Sequence, residues 1–133
     1  MKGIDYMVFR YCIVVALTMC VLAGSGQRNL DFENYVDYTI NFDPWTTNDT
    51  DGSDTWGFEE NTFPNMFSEM AFIVFNPALT QPSLATDAGL QPHSGDRFAA
   101  CFSATNPPNN DWLISPEIQL GENSELSMWV KSY

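Results

Sequence analysis

Met70-Ala71-Phe72-Ile73-Val74-Phe75, closed by Asn76-Pro77, is the stretch on which the reading of this chain turns. It is continuously apolar, the pattern of a β-strand covered on both faces, and the Asn-Pro pair punctuates it. Working outward, further short apolar runs lie at 38–42, 55–59, 97–104, 112–114 with 117–120, and 126–131. Each is bounded by Gly, Pro, Asn, Asp or Ser, as strands are. The last run, Leu126-Ser127-Met128-Trp129-Val130-Lys131, alternates in part and suits a strand with one wet face. Residues 76–92 form a long, proline-bearing loop, a feature often tied to function. There is no long helical periodicity, internal repeat or low-complexity tract. Several short strands with such spacers predict an all-β, two-sheet sandwich.

The first 25 residues read as a signal peptide. Lys2 and Arg10 give a positive start, the uncharged apolar run 12–23 follows, and small residues succeed it at Ala23-Gly24-Ser25-Gly26. The run is shorter than the ~20 residues that span a bilayer. Asp5 is unusual in such a start, and an uncleaved anchor helix is the competing reading. A lipoprotein reading through Cys20 is weaker, because bulky Met19 precedes it. The expected product is secreted or displayed at the cell surface, with no stable membrane insertion after cleavage. Residues 26–41 are read as a lead-in and 42–133 as the single domain that 133 residues allow.

The chain has a net charge of −12, and past the leader only Arg28, Arg97 and Lys131 remain as strong bases. Such a field repels phosphate backbones and favours cations, which excludes nucleic acid as a partner. Loss of Cys12 and Cys20 with the leader leaves Cys101 alone. Within the apolar run 98–102 it is expected to be a buried, inert thiol.

Asn48-Asp49-Thr50-Asp51-Gly52-Ser53-Asp54 is the clearest chemical motif. Alternating Asp side chains on a turning loop converge on one point, as Ca²⁺ requires, and Gly52 permits the bend. The loop is not an EF-hand: Glu60 holds the twelfth place from Asp49, but Asp54 stands where the sharp-turn Gly belongs. An ordinary solvated Asp/Gly turn is the alternative.

Other motifs carry less. His93, Ser94 and Asp96 are near neighbours in sequence, which does not align a catalytic triad, and no G-x-S-x-G elbow surrounds Ser94. Zinc chemistry needs more His and Cys than the chain has. Glu59 and Glu60 are adjacent, so on a strand they face opposite sides and cannot flank one glycosidic bond. The tryptophans at 45, 56, 112 and 129 sit in or beside predicted strands, where core roles dominate. Trp45 and Trp56, which flank the acidic loop, are the pair to expect at a surface.

An ordered set of motifs resembles a known family. Phe42-Asp43-Pro44-Trp45-Thr46-Thr47, the loop at 49–52 and Trp56-Gly57-Phe58 resemble the opening of the cleaved-adhesin, or choice-of-anchor J, domain. The likeness continues through Ala71-Phe72-Ile73-Val74-Phe75-Asn76-Pro77, Pro92-His93-Ser94-Gly95-Asp96 and Asn110-Asp111-Trp112-Leu113-Ile114-Ser115-Pro116, to residues 126–133. It implies a jelly-roll β-sandwich secreted by Bacteroidetes-type bacteria, akin to gingipain adhesin domains and similar in shape to MAM and carbohydrate-binding sandwiches. It also implies structural calcium. Asp49 and Asp51 match the family's acidic loop, with Asp54 beside them, and the turn before Arg97 matches a second contributor. There Asp96 stands where gingipain modules have His. The family's domain runs on past the equivalent of Tyr133, and 126–133 reads as a core strand with no turn after it. Both lead to the expectation of a domain incomplete at its C-terminus.

The chain is thus expected to be a non-catalytic, adhesin-like binding module, attaching to host extracellular protein or glycan with calcium bracing its loops. The alternatives are a structural accessory domain of a larger secreted peptidase, and a sandwich-fold glycan hydrolase.

Overall fold

A computed structural model describes residues 30–133. The expected signal peptide lies outside the described residues. Among the described residues no helix is long and apolar enough to cross a membrane.

Among the described residues the regular structure is all-β, apart from one 3₁₀ turn. Four strands of the described residues run in chain order: β1 (Thr46–Asp49), β2 (Ile73–Phe75), β3 (Phe98–Ala100) and β4 (Asp111–Ile114). They form two antiparallel ladders, β1 with β4 and β2 with β3. Single bridges join Asp54 to Glu69, Thr55 to Ala104 and Thr62 to Gln81.

β2 is the centre of the fold and the core of the run 70–75. Ile73, Val74 and Phe75 are all 0% exposed, so the strand is covered on both faces as its unbroken apolarity predicts. One edge pairs with β3, Phe75 standing opposite Phe98. The other edge is taken by residues 38–39, through Tyr38 N–H to the Val74 carbonyl (2.7 Å) and Val74 N–H to the Thr39 carbonyl (3.0 Å). The Phe75 ring meets Tyr38, Phe63, Phe98 and Phe102 at centroid distances of 5.2–5.8 Å. Edge-to-face geometry dominates these contacts, the arrangement aromatic quadrupoles favour. Burying one such side chain stabilises the fold by about 1.5–3 kcal/mol.

Residues 30–41, expected as a lead-in, pack into the same core. Tyr38 is buried, and its hydroxyl donates to the Asn76 carbonyl at 2.6 Å. Burial, with the nearby Asp37 charge, pushes that phenol up to about 12. Arg97 clamps the segment: its Nε and Nη2 donate to the two oxygens of Asp37 at 2.7 and 3.0 Å. The Glu33 carboxylate accepts from the backbone N–H groups of Asp96 and Arg97, both at 3.0 Å. Gly95 makes room for it, at φ +70°, and a Cβ there would collide with that carboxylate.

The long loop 76–92 is ordered by its own polar groups. Asn76 caps the turn Pro77–Leu79 by accepting from Ala78 N–H, and donates its amide to Asp37 at 2.8 Å. Thr80 is fully buried and its hydroxyl donates to the carbonyls of Pro77 and Pro82.

Several expected strands shrink or vanish. The run 55–59 survives as the Thr55 bridge, and 97–104 keeps only β3 and the Ala104 bridge. Residues 117–120 and 126–131 form no strand. A strand exists only with a partner, and among the described residues 126–131 make no ladder of backbone hydrogen bonds with a neighbouring segment. Side chains of the last segment reach the long loop instead: Lys131 Nζ donates to the Ala88 and Gln91 carbonyls, and the Tyr133 hydroxyl to Asp87.

Candidate metal centre

Antiparallel register builds the site. β1 opens with β-branched Thr46 and Thr47, suited to a pleated surface, and pairs with β4 so that Thr46 faces Ile114, Asn48 faces Trp112 and Asp49 faces Asp111. Side chains alternate across the ladder, so Thr46, Asn48, Trp112 and Ile114 point outward and are exposed. Thr47, Asp49, Asp111 and Leu113 lie on the other, half-buried face.

Two carboxylates directly opposite each other destabilise a sheet unless something neutralises them. The turn after β1 then adds a third. One carboxylate oxygen from each of Asp49, Asp51 and Asp111 lies within 4.8 Å of the others. The turn is tied by its own acids: Asp49 Oδ1 accepts from Gly52 N–H at 2.7 Å and Asp51 Oδ1 from Ser53 N–H at 3.1 Å. Gly52 sits at φ +60°, the left-handed conformation that favours glycine. The other oxygen of Asp51 accepts the backbone N–H of Asn110, and Thr50 N–H donates to the Asn110 carbonyl, so the loop is stitched onto the start of β4.

Asp111 is the most constrained member. Its Oδ2 accepts from Asn109 Nδ2 at 2.6 Å and from the Cys101 thiol at 3.4 Å. Its Oδ1 is buried with no hydrogen-bond partner. Burial is the main influence on this carboxyl, and with repulsion from Asp49 and Asp51 it outweighs the hydrogen bonds and raises its pKa. No base relieves the cluster: among the described residues, Arg97 is engaged with Asp37 and Glu33 and Lys131 with backbone carbonyls. A buried oxygen without a donor, among three like charges, is what a hard cation compensates. The donor set therefore fits Ca²⁺, with further oxygens required from loop carbonyls or water to reach six to eight.

Of the acids singled out from sequence, Asp49 and Asp51 are brought together and Asp54 and Asp96 are not in the cluster. Asp54 is exposed, its backbone bridging to Glu69, and Asp96 is exposed on the turn held by Glu33. Sequence reasoning missed Asp111. Its signal was the oxygen-rich Asn109-Asn110-Asp111, a counterpart to the loop some sixty residues earlier.

Cys101 corrects an expectation. It is exposed rather than buried, because β3 ends at Ala100 and the chain leaves the sheet there. Local desolvation, with the charges of Asp111 and Asp51, still pushes its thiol up to about 11. The tryptophans are also redistributed. Trp56 is 58% exposed as expected, but Trp45 is half-buried against Phe32, while Trp112 and Trp129 are 57% and 77% exposed. His93 stacks its ring on Trp129 with centroids 3.9 Å apart. The depression beside Trp45, lined by Asn41, Phe42 and Thr46 among others, holds about 160 Å³. Small-molecule pockets usually hold ~300 Å³ or more.

No protein family, curated protein or solved structure matches this chain.

Proposed function

We propose that this chain is a secreted, non-catalytic binding module of the adhesin-like, jelly-roll type, in which Ca²⁺ held by Asp49, Asp51 and Asp111 braces the β1–β4 ladder. Its target is a host extracellular protein or glycan. The observation that supports the calcium part of this reading is the buried, unpartnered Oδ1 of Asp111, set directly across the ladder from Asp49. Calcium here is structural: it neutralises the cross-strand repulsion and locks the acidic loop against β4. At millimolar calcium, a site with a Kd of ~10⁻⁵ M adds about 2.7 kcal/mol of stability.

The test is thermal unfolding in calcium and in chelator. The wild-type chain melts higher in calcium, and the double variant Asp49→Asn, Asp51→Asn, which keeps the carbonyl acceptors of the turn, loses the difference. Equal melting temperatures for the wild-type chain in both conditions sink the calcium reading.

A second reading, an accessory domain that docks onto other domains of a larger secreted peptidase or glycan hydrolase, draws on the last segment. Leu126, Met128, Trp129 and Val130 are 70–83% exposed there, a stripe suited to burial against a neighbouring domain.

A further inference from the structure

The outer face of the β1–β4 ladder lies opposite the one that carries Asp49 and Asp111. Its four outward side chains are Thr46, Asn48, Trp112 and Ile114, and none carries a charge in a chain of net −12. Trp112 presents more than half of its surface to solvent, yet its ring is oriented: the indole Nε1–H donates to Asn110 Oδ1 at 3.0 Å. Asn110 is itself held, because its backbone N–H donates to Asp51. The acidic loop on one side of the ladder thus sets the ring on the other. Asn48 stands directly across from Trp112 on the same face, where opposed Cβ atoms are ~5 Å apart. One of its N–H groups is spent on Thr50 Oγ1 at 3.2 Å, leaving its carbonyl and second N–H to a ligand.

We infer that this face is a platform for a neutral sugar, stacked on Trp112 and hydrogen-bonded at its rim by Asn48. A pyranose offers what the face lacks: a flat array of C–H groups for the indole and equatorial hydroxyls for the amide. A fixed aromatic ring takes up such a ligand with little loss of conformational freedom. Acidic glycans are repelled by the field of the chain. A second copy is a poor occupant, since four side chains fall far short of the ~800 Å² per partner that a stable protein interface buries, and two copies of net −12 repel. This inference deepens the binding-module reading by naming the surface and ligand class, and stands apart from the calcium claim.

The experiment is an array of neutral gluco-, manno-, galacto- and xylo-oligosaccharides, with sialylated and sulfated glycans alongside, probed with the full chain. The strongest neutral hit is then titrated by calorimetry. Neutral glycans are retained in preference to acidic ones, Trp112→Ala weakens binding at least about tenfold, Trp112→Phe keeps part of it, and Trp56→Ala leaves it unchanged. Melting temperature controls for folding, and Trp112→Ala holds it close to wild type. Retention of no neutral glycan, or equal affinity in Trp112→Ala, overturns the inference. So does a concentration-dependent dimer, seen by sedimentation, that Trp112→Ala abolishes. Glycan binding through Trp112 in a chain whose melting ignores calcium sinks the calcium reading alone.

Discussion

Replacing Asp111 by Asn leaves the shape of the side chain almost unchanged and removes one of three clustered charges. The carbonyl of the introduced amide can still accept from Asn109 and Cys101, so the local hydrogen bonds survive. What changes is the repulsion. Charges within 4.8 Å of one another repel by about 1 kcal/mol per pair in water-like surroundings and about 3.5 kcal/mol at an effective dielectric near 20. Asp111 takes part in two such pairs and is only partly buried, so the water-like figure applies and relief of about 2 kcal/mol is expected without a cation. For a folded unit of this size, 1 kcal/mol moves the midpoint by roughly 4–8 °C. In chelator, Asp111→Asn therefore melts several degrees above wild type. In millimolar calcium the order reverses, because the variant forgoes about 2.7 kcal/mol of linked binding. Differential scanning fluorimetry of both proteins in both conditions reads the crossover directly. A variant that melts at or below wild type in chelator, and that keeps the calcium-induced rise, refutes the account of the site.

Three other outcomes follow from the same structure. Phe75→Ala loses about 3–5 kcal/mol, since the ring is fully buried among five aromatic neighbours, and chemical denaturation shows an earlier midpoint. Gly95→Ala loses about 1–2 kcal/mol from the left-handed backbone alone and more from displacing Glu33, so protease sensitivity rises at the 33–37 segment. Burial pushes Asp37 up, but hydrogen bonds from Arg97 and Asn76 and the Arg97 charge outweigh it and hold its carboxyl below the ordinary 3.8. That stabilisation is present above the ordinary value and is lost as pH falls through the depressed one; Asp37→Asn flattens the acid limb of the melting profile and costs about 1.5–3 kcal/mol at neutral pH.

Legibility differed sharply between parts of the chain. The all-β class was readable because a strand's apolar run is a local property: Ile73, Val74 and Phe75 declare double-sided burial by composition alone. The acidic turn was readable for the same reason, since Asp49, Asp51 and Gly52 lie within four consecutive residues. Arg97 looked like the first residue of a strand, and nothing local showed that it reaches back to Asp37 and Glu33. The run 126–131 has the apolarity of a strand and none of the pairing, because hydrogen bonds between strands are not encoded in either strand alone.

By itself, then, the sequence determined the strand at 73–75, the turning acidic loop and an anion-repelling field, each set by neighbouring residues and their charges. Tertiary structure alone decided that Asp111 completes the cluster and that Trp112 faces outward while Asp111 faces in. Both follow from the antiparallel register Asp49 to Asp111. A shift of that register by one residue would exchange the two faces, because side chains alternate with a period of two. Register is chosen by packing across the whole ladder, and no short stretch of chain contains that choice.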